Sequence, residues 1–166
     1  MATKQSTKPF ELDTFNVSNV EFGDVKRMQQ FNMNYIPLSY RGSQKKLAFL
    51  VRDCEILKVF DKSEKSSSIG LFLRINDKNF IQMMDMLSDY VYDYGVSHSS
   101  NWFKKQLKKE DIDMKSVVDT NDEGESISNF SLANEVTIIS GTSEKMSGNP
   151  ADILKQQMKI NVTIRF

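Results

Sequence analysis

Hydrophobic and polar positions alternate along much of the first 76 residues, and a period of two is typical of β-strands with one buried face. The clearest run is "SIGLFLRIN", residues 68–76. In it, Ile69, Leu71, Leu73 and Ile75 form one face, and Gly70, Phe72 and Arg74 form the other.

Further strands are predicted before and after this run. "KKLAFLVRD" and "EILKVF" predict two separate strands, and "MNYIPLSY" predicts another with Pro37 inside it. Because proline has no backbone N–H donor, we expect an edge strand or a bulge there. "NEVTIIS" and the terminal "MKINVTIRF" also alternate, and the intervening "GTSEKMSGNPADILKQQ" predicts a loop with a helical turn.

The period becomes helical after Asp77. Apolar side chains recur at i, i+3, i+4 and i+7, so we predict an amphipathic helix from about 78 to 94, with Asp77 as N-cap and Gly95 as C-cap. The stripe is interpreted as core and consists of Phe80, Met83, Met84, Leu87, Tyr90, Val91 and Tyr94.

The stretch "HSSNWFKKQLKKED" holds the single His, the single Trp and four lysines within six residues. With Ser99 or Ser100 as a cap, it predicts a short basic helix at about 100–109 and leaves His98 in a loop or cap. Like charges at i and i+4 destabilise a helix by a few tenths of a kcal/mol per pair, so an anionic partner is expected. Two partners remain open: the acidic residues between 110 and 125, or phosphates.

Composition limits the function classes. The formal net charge is zero, which argues against a protein coated with positive charge, although local charge matters more than the total. Cys54 and His98 are too few for a disulfide or a tetrahedral zinc site, and Cys54 is expected to be a small buried apolar residue. No catalytic residue, metal or cofactor is therefore expected.

Organisation and location follow from the same features. Residues 1–14 are polar and predict a flexible arm, followed by a single domain over 15–166. The N-terminus lacks the apolar core of a signal peptide, and no run approaches the length of a membrane span. We therefore expect an intracellular protein that does not enter a membrane.

Several segments together resemble a known family. "NYIPLSYRG", "KKLAFLVRDCEI", "GLFLRIN", an acidic-faced helix and "SSNWFKKQLKKEDI" resemble single-stranded DNA-binding-like proteins of large nucleocytoplasmic DNA viruses, a family related to podophage replicative single-stranded DNA-binding proteins. The resemblance spans roughly residues 30–118. Its most specific residues are Ser99, Trp102, Phe103, Lys104, Lys105, Asp111 and Ile112.

The resemblance implies a mainly β, α+β fold with an OB-like barrel of five or more strands. It also implies binding to single-stranded DNA without sequence preference, in viral DNA replication, recombination or repair, with replication proteins as partners. The location would then be a viral factory or the host cytoplasm or nucleus. Such phage proteins end in a flexible acidic tail, whereas this chain ends in the basic, strand-like "KINVTIRF", so tail-mediated recruitment is not carried over.

Single-strand binders combine a basic groove with aromatic side chains on which bases stack. The candidates here lie on predicted non-core faces, at a strand end, or in the basic stretch. They are Tyr35, Tyr40, Arg41, Lys45, Lys46, Arg52, Phe72, Arg74, Trp102, Lys104, Lys105, Lys108 and Lys109.

Two other function classes remain. A virion structural or assembly protein would use the same charged segments for contacts between subunits, and an edge strand at Pro37 would allow a homodimer. An enzyme would use the acidic cluster for a divalent cation, but its spacing fits neither a calcium loop nor a two-metal nuclease, so a solvated linker is preferred. That cluster is Asp111, Asp113, Asp119, Asp122 and Glu123.

Overall fold

The computed structural model describes residues 8–41, 47–63, 66–112, 116–133 and 136–166. Two compact units divide the chain. The first comprises Met1–Val51, Gln82–Ser116 and Thr163–Phe166, and the second comprises Arg52–Ile81 and Val117–Val162. The strands are β1 (Val20–Phe22), β2 (Lys26–Met28), β3 (Met33–Tyr35), β4 (Leu38–Tyr40), β5 (Ala48–Ser63), β6 (Ser66–Ile75), β7 (Asp119–Thr120), β8 (Ser126–Ser131), β9 (Ile138–Ile139), β10 (Lys145–Met146) and β11 (Lys159–Arg165). The helices are α1 (Lys78–Phe103) and α2 (Pro150–Ile153), with 3-10 turns at Leu12–Thr14, Val17–Asn19, Gln29–Phe31 and Lys109–Asp111.

A five-stranded sheet with the order β11-β5-β6-β8-β7 is the main element of the second unit. Strands β5, β6, β8 and β7 pair antiparallel in that order. Leu71, Leu73 and Ile75 are buried, which confirms the alternation predicted for β6. The predicted mainly β, α+β class is confirmed. The edges β11 and β7 do not pair with each other among the described residues, so the sheet is open and no closed barrel forms.

The two strands predicted between residues 45 and 60 are one strand, β5. Asp53 adopts a left-handed conformation with φ 50° within it. Side-chain oxygens accept the backbone N–H hydrogen bonds at this point. Arg52 N–H donates to Asp77 Oδ2 at 2.9 Å, and Asp53 N–H donates to Asn161 Oδ1 at 3.2 Å. The polar "RD" pair thus marks an irregularity inside a continuous strand and not a turn.

The side chain of Cys54 is fully buried, which confirms the predicted environment. Burial, followed by the charges of Asp77 and Asp53, raises the pKa of the thiol to about 12. The thiol is therefore neutral at physiological pH and unsuited to nucleophilic chemistry.

The C-terminal part of the second unit follows the predicted pattern closely. The predicted helical turn is α2, where Asn149 Oδ1 accepts a hydrogen bond from Ala151 N–H at 3.1 Å. Within the described part of "NEVTIIS", residues 136–140, the strand is β9, which pairs with β10 as a hairpin. On β11, Ile160 and Val162 are half-buried and alternate with exposed polar residues, as expected for a strand with one wet face.

Two small antiparallel sheets, β1 with β4 and β2 with β3, belong to the first unit. The single strand predicted through Pro37 is in fact two strands, β3 and β4, that pair with different partners. Pro37 lies between them, where it has no ladder bond to donate, and its carbonyl accepts a hydrogen bond from Gly23 N–H at 2.9 Å.

Aromatic rings of the first unit gather near the start of β5. The expected N-terminal arm includes Phe10, whose backbone N–H donates to Ala48 O at 2.7 Å, while residues 1–7 lie outside the described residues. The ring centroid of Phe10 lies 4.7 Å from that of Tyr40, and Phe15 lies 4.8 Å from Phe49. Residues 10–15 therefore contribute to the packing of this unit.

Helix α1 begins as predicted and ends later. Asp77 Oδ1 accepts a hydrogen bond from Phe80 N–H at 3.2 Å, which confirms the N-cap. The C-cap prediction at Gly95 is wrong, because α1 continues to Phe103 and ends where Lys104 adopts φ 57°. A glycine inside a helix costs about 1 kcal/mol relative to alanine, which the aromatic packing of the following turns can offset.

The short basic helix predicted at about 100–109 is also wrong. Residues 100–103 belong to α1, residues 104–108 are not helical, and a 3-10 turn follows at Lys109–Asp111. The lysines therefore do not form the predicted i, i+4 pairs. Among the described residues, no helix combines the length and apolar character needed to cross a membrane.

Gly70 is required by a close approach within the five-stranded sheet. Its partner on β5 is Phe60, and a Cβ on Gly70 would lie 2.5 Å from Cζ of that ring. We expect Gly70→Ala to destabilise the protein by about 1–3 kcal/mol in urea denaturation, since the ring must leave its position. Phe60→Leu should reduce that cost in the double variant, and equal costs in both backgrounds would contradict this account.

Candidate nucleic-acid interface

Residues 104–112, called the return segment below, run back beside the last turns of α1. The fully buried hydroxyl of Ser99 holds the two together. It donates to Val96 O at 2.8 Å and accepts from the backbone N–H of Leu107 at 3.0 Å. Gln106 adds a bond from Nε2 to Val96 O at 3.1 Å. Ser99, one of the specific residues of the family resemblance, is thus a structural anchor.

The far end of the return segment is fixed by Lys109. Its Nζ lies 2.9 Å from Asp93 Oδ1 and 5.3 Å from the ring centroid of Tyr92, whose hydroxyl donates to Lys109 O. The hydrogen bond that the Lys109 ammonium donates to Asp93 raises the pKa of Lys109. The acid that neutralises this lysine therefore comes from α1 and not from the acidic residues that follow it in sequence.

The backbone at Lys108 is held locally. Asp111 Oδ2 accepts from Lys108 N–H at 2.9 Å and so caps the 3-10 turn. Lys104, Lys105 and Lys108 are exposed, as is Lys109. The Lys104 ammonium makes a 3.3 Å hydrogen bond to Asn101 O.

A stack of aromatic rings lies on one side of α1. The ring centroids of Phe22 and Tyr94 are 3.9 Å apart, and those of Tyr94 and His98 are 3.8 Å apart, with both pairs nearly parallel. Trp102 lies 5.9 Å from Phe22. His98 was expected in a loop or cap, but it lies inside the helix because it continues the i, i+4 series of Tyr90, Tyr94 and Trp102.

An apolar pocket of about 320 Å³ lies within the first unit, between this aromatic stack and the return segment. Its walls come from β1, from the link between β3 and β4, from α1 and from the return segment. Lining residues include Phe22, Ile36, Trp102, Phe103, Leu107 and Asp111. The pocket is largely apolar. Its lining residues Phe103 and Leu107 are sequence neighbours of the lysines of the return segment.

The predicted binding residues are divided between the two units. Tyr35, Tyr40, Arg41, Trp102 and the four lysines belong to the first unit, and Arg52, Phe72 and Arg74 belong to the second. Lys45 and Lys46 lie outside the described residues. No single surface of one unit therefore carries the whole predicted set.

Tyr40 and Arg41 have partners of their own. The Tyr40 hydroxyl accepts from Asn16 N–H and from Asn19 Nδ2, both at 3.3 Å, and its ring packs in the cluster with Phe10. Arg41 Nε lies 3.4 Å from Glu21 Oε1 in an exposed ion pair. Tyr40 therefore has a packing role, while Arg41 remains on the surface.

Arg74 is enclosed by carboxylates. Its Nη1 lies 2.7 Å from Glu55 Oε2, and its Nε lies 2.8 Å from Glu125 Oε1. A hydrogen bond from Asn121, followed by the contact with Arg74, lowers the pKa of Glu125. The half-buried ring of Phe72 has Lys58 and Asn129 as cross-strand neighbours. The charge of Arg74 is thus already neutralised.

Comparisons with known proteins found no match for this chain among protein-family models, curated proteins or solved structures. Within the described parts of the chain, no group of three or more His, Cys, Asp or Glu side chains could hold a metal ion. Asp113 of the acidic cluster lies outside the described residues.

Sequence reasoning missed the pocket and its anchor. Phe22 and Ile36 are distant in sequence from Trp102, so no local pattern indicates that they share a cavity. A local signal for the longer helix was present in the four-residue spacing of Tyr90, Tyr94, His98 and Trp102. That spacing continues past Gly95.

The role of Ser99 is testable. We expect Ser99→Ala to lower the free energy of unfolding by about 1–3 kcal/mol, because it leaves the Leu107 N–H without its partner. Ser97→Ala removes an exposed serine hydroxyl from the same helix and should cost less than about 0.5 kcal/mol. Urea denaturation compares the two variants, and equal losses would show that the buried hydroxyl is not an anchor.

Proposed function

We propose that the protein binds single-stranded DNA with little sequence preference and acts in DNA replication, recombination or repair. The observation that carries this proposal is the position of an apolar, aromatic pocket beside a segment with four exposed lysines. The resemblance described in the sequence analysis favours the same function, and it rests in part on the same residues, Trp102, Lys104 and Lys105. The binding site is assigned to the pocket and the return segment.

The pocket suits the faces of an unpaired base. Stacking of a base on an aromatic side chain contributes about 1–3 kcal/mol and tolerates all four bases, since each has a π-face. The volume of about 320 Å³ is at the lower end of that found for small-ligand sites. Bases in a duplex are already stacked on one another, so this pocket favours single strands.

The lysines supply affinity that is independent of sequence. Each phosphate neutralised on a single strand releases counterions and contributes about 0.7 to the slope of log K against log salt. Lys109 is already paired with Asp93, so the main contribution is assigned to Lys104, Lys105 and Lys108. The zero net charge of the chain is compatible with this, because a local field governs the encounter.

The second unit has a smaller part in this proposal. Its Arg74 is paired with two carboxylates, so phosphate binding there would require breaking existing ion pairs. The OB-like topology is implied by the resemblance alone and is not required, because the proposed site lies outside the five-stranded sheet.

Reversal of two lysines tests the proposal. Lys104→Glu/Lys108→Glu should weaken binding of a labelled dT oligonucleotide at least tenfold, and should reduce the salt slope by about 1.4, since two phosphate contacts are lost. Fluorescence anisotropy at several salt concentrations measures both quantities.

Lys145→Glu/Lys155→Glu is the matched control, because it makes the same charge change at exposed residues of the second unit. Equal weakening by both double variants would reject the assigned site. A folded wild-type protein that binds no oligonucleotide at low salt, yet forms oligomers with rising concentration, would favour the virion or assembly protein instead.

A further inference from the structure

We infer that the β2–β3 hairpin forms a second nucleotide subsite next to the pocket, with Tyr35 stacking on a base and Lys26 contacting its phosphate. This inference rests on the proposed function and extends it to a second element of the first unit. It assigns a role to Lys26, which sequence reasoning did not select.

Lys26 and Tyr35 are opposite each other in the antiparallel register of β2 and β3. Directly opposed residues project from the same face of a hairpin. Lys26 is exposed, and Tyr35 retains 43% of its accessible surface. An aromatic ring and a cation are thus adjacent on one open face, which is the combination that single-strand binders use.

The chain connects this pair directly to the pocket. Tyr35 is followed by Ile36, which lines the pocket, and consecutive Cα atoms are about 3.8 Å apart. On the other side, β1 ends at Phe22, also a lining residue, and β2 begins at Lys26. The Lys26–Tyr35 pair is therefore at the base of the hairpin, where both of its strands join the pocket wall.

The charge of this region favours a polyanion. In the described part of the first unit, residues 25–41 contain three basic residues, Lys26, Arg27 and Arg41, and no Asp or Glu, in a chain that has equal numbers of acidic and basic residues overall. Within this stretch, the hairpin contributes Lys26 and Arg27. A nucleic acid strand with one base in the pocket would meet Tyr35 and Lys26 next.

Arg27 provides a matched control. As the neighbour of Lys26 in an extended strand, it projects from the opposite face, and its Nη2 donates to Asn32 Oδ1 at 2.7 Å. Lys26→Gln and Arg27→Gln each remove one positive charge. Only Lys26→Gln removes a charge from the face of the hairpin that carries Tyr35.

The experiment titrates full-length variants against a labelled dT oligonucleotide of about 12 nucleotides. Lys26→Gln should weaken binding about threefold or more and lower the salt slope by about 0.7, with a smaller effect for Arg27→Gln. Tyr35→Leu should weaken binding about 5- to 140-fold, while Tyr35→Phe should bind like the wild type. Circular dichroism and thermal melting verify that each variant is folded.

The outcomes separate this inference from the proposed function. If the wild type binds and Lys104→Glu/Lys108→Glu weakens it, but Tyr35→Leu has no effect and the two Gln variants are equal, the hairpin subsite is rejected and the proposed function stands. If the wild type does not bind single strands, both are rejected. Selective losses in Lys26→Gln and Tyr35→Leu support the subsite.

Discussion

The hydroxyl of Ser99 connects the end of the long helix to the segment that follows it. Because this group is fully buried, its hydrogen bonds to Val96 O and Leu107 N–H are made without competition from water. They fix where the chain turns back after Phe103. One wall of the apolar pocket and the position of the four lysines both follow from this connection.

Arg74 and the lysines of the return segment differ in how their charges are paired, and this difference underlies the assignment of the site. In the second unit, Arg74 is held between Glu55 and Glu125, so its charge stabilises local structure. In the first unit, the lysines of the return segment are exposed, and one of them, Lys109, is paired with a helix carboxylate. A zero net charge therefore conceals a basic region next to an aromatic pocket. Attraction of a polyanion depends on that local arrangement.

Local patterns predicted the elements that depend on local physics. The alternation in β6 and β11, the Asp77 cap and the burial of Cys54 follow from side-chain period and chemistry. The low helix propensity of glycine led to the wrong C-cap prediction at Gly95. Packing of Tyr94, His98 and Trp102 extends the helix beyond this residue. The sequence pattern predicted a helix that contains the four lysines of the return segment, whereas α1 ends at Phe103, before all of them. The pocket was not predictable, since Phe22 and Ile36 reach it only through tertiary structure.

The most direct test of the central claim uses Trp102, the single tryptophan of the chain and part of the pocket wall. Its fluorescence is recorded while an unlabelled dT oligonucleotide is added, alongside anisotropy with a labelled strand. If a base enters the pocket, tryptophan emission should be quenched to saturation, with the same dissociation constant as the anisotropy change. Anisotropy that reports tight binding while Trp102 emission stays constant would place the DNA elsewhere and contradict the account.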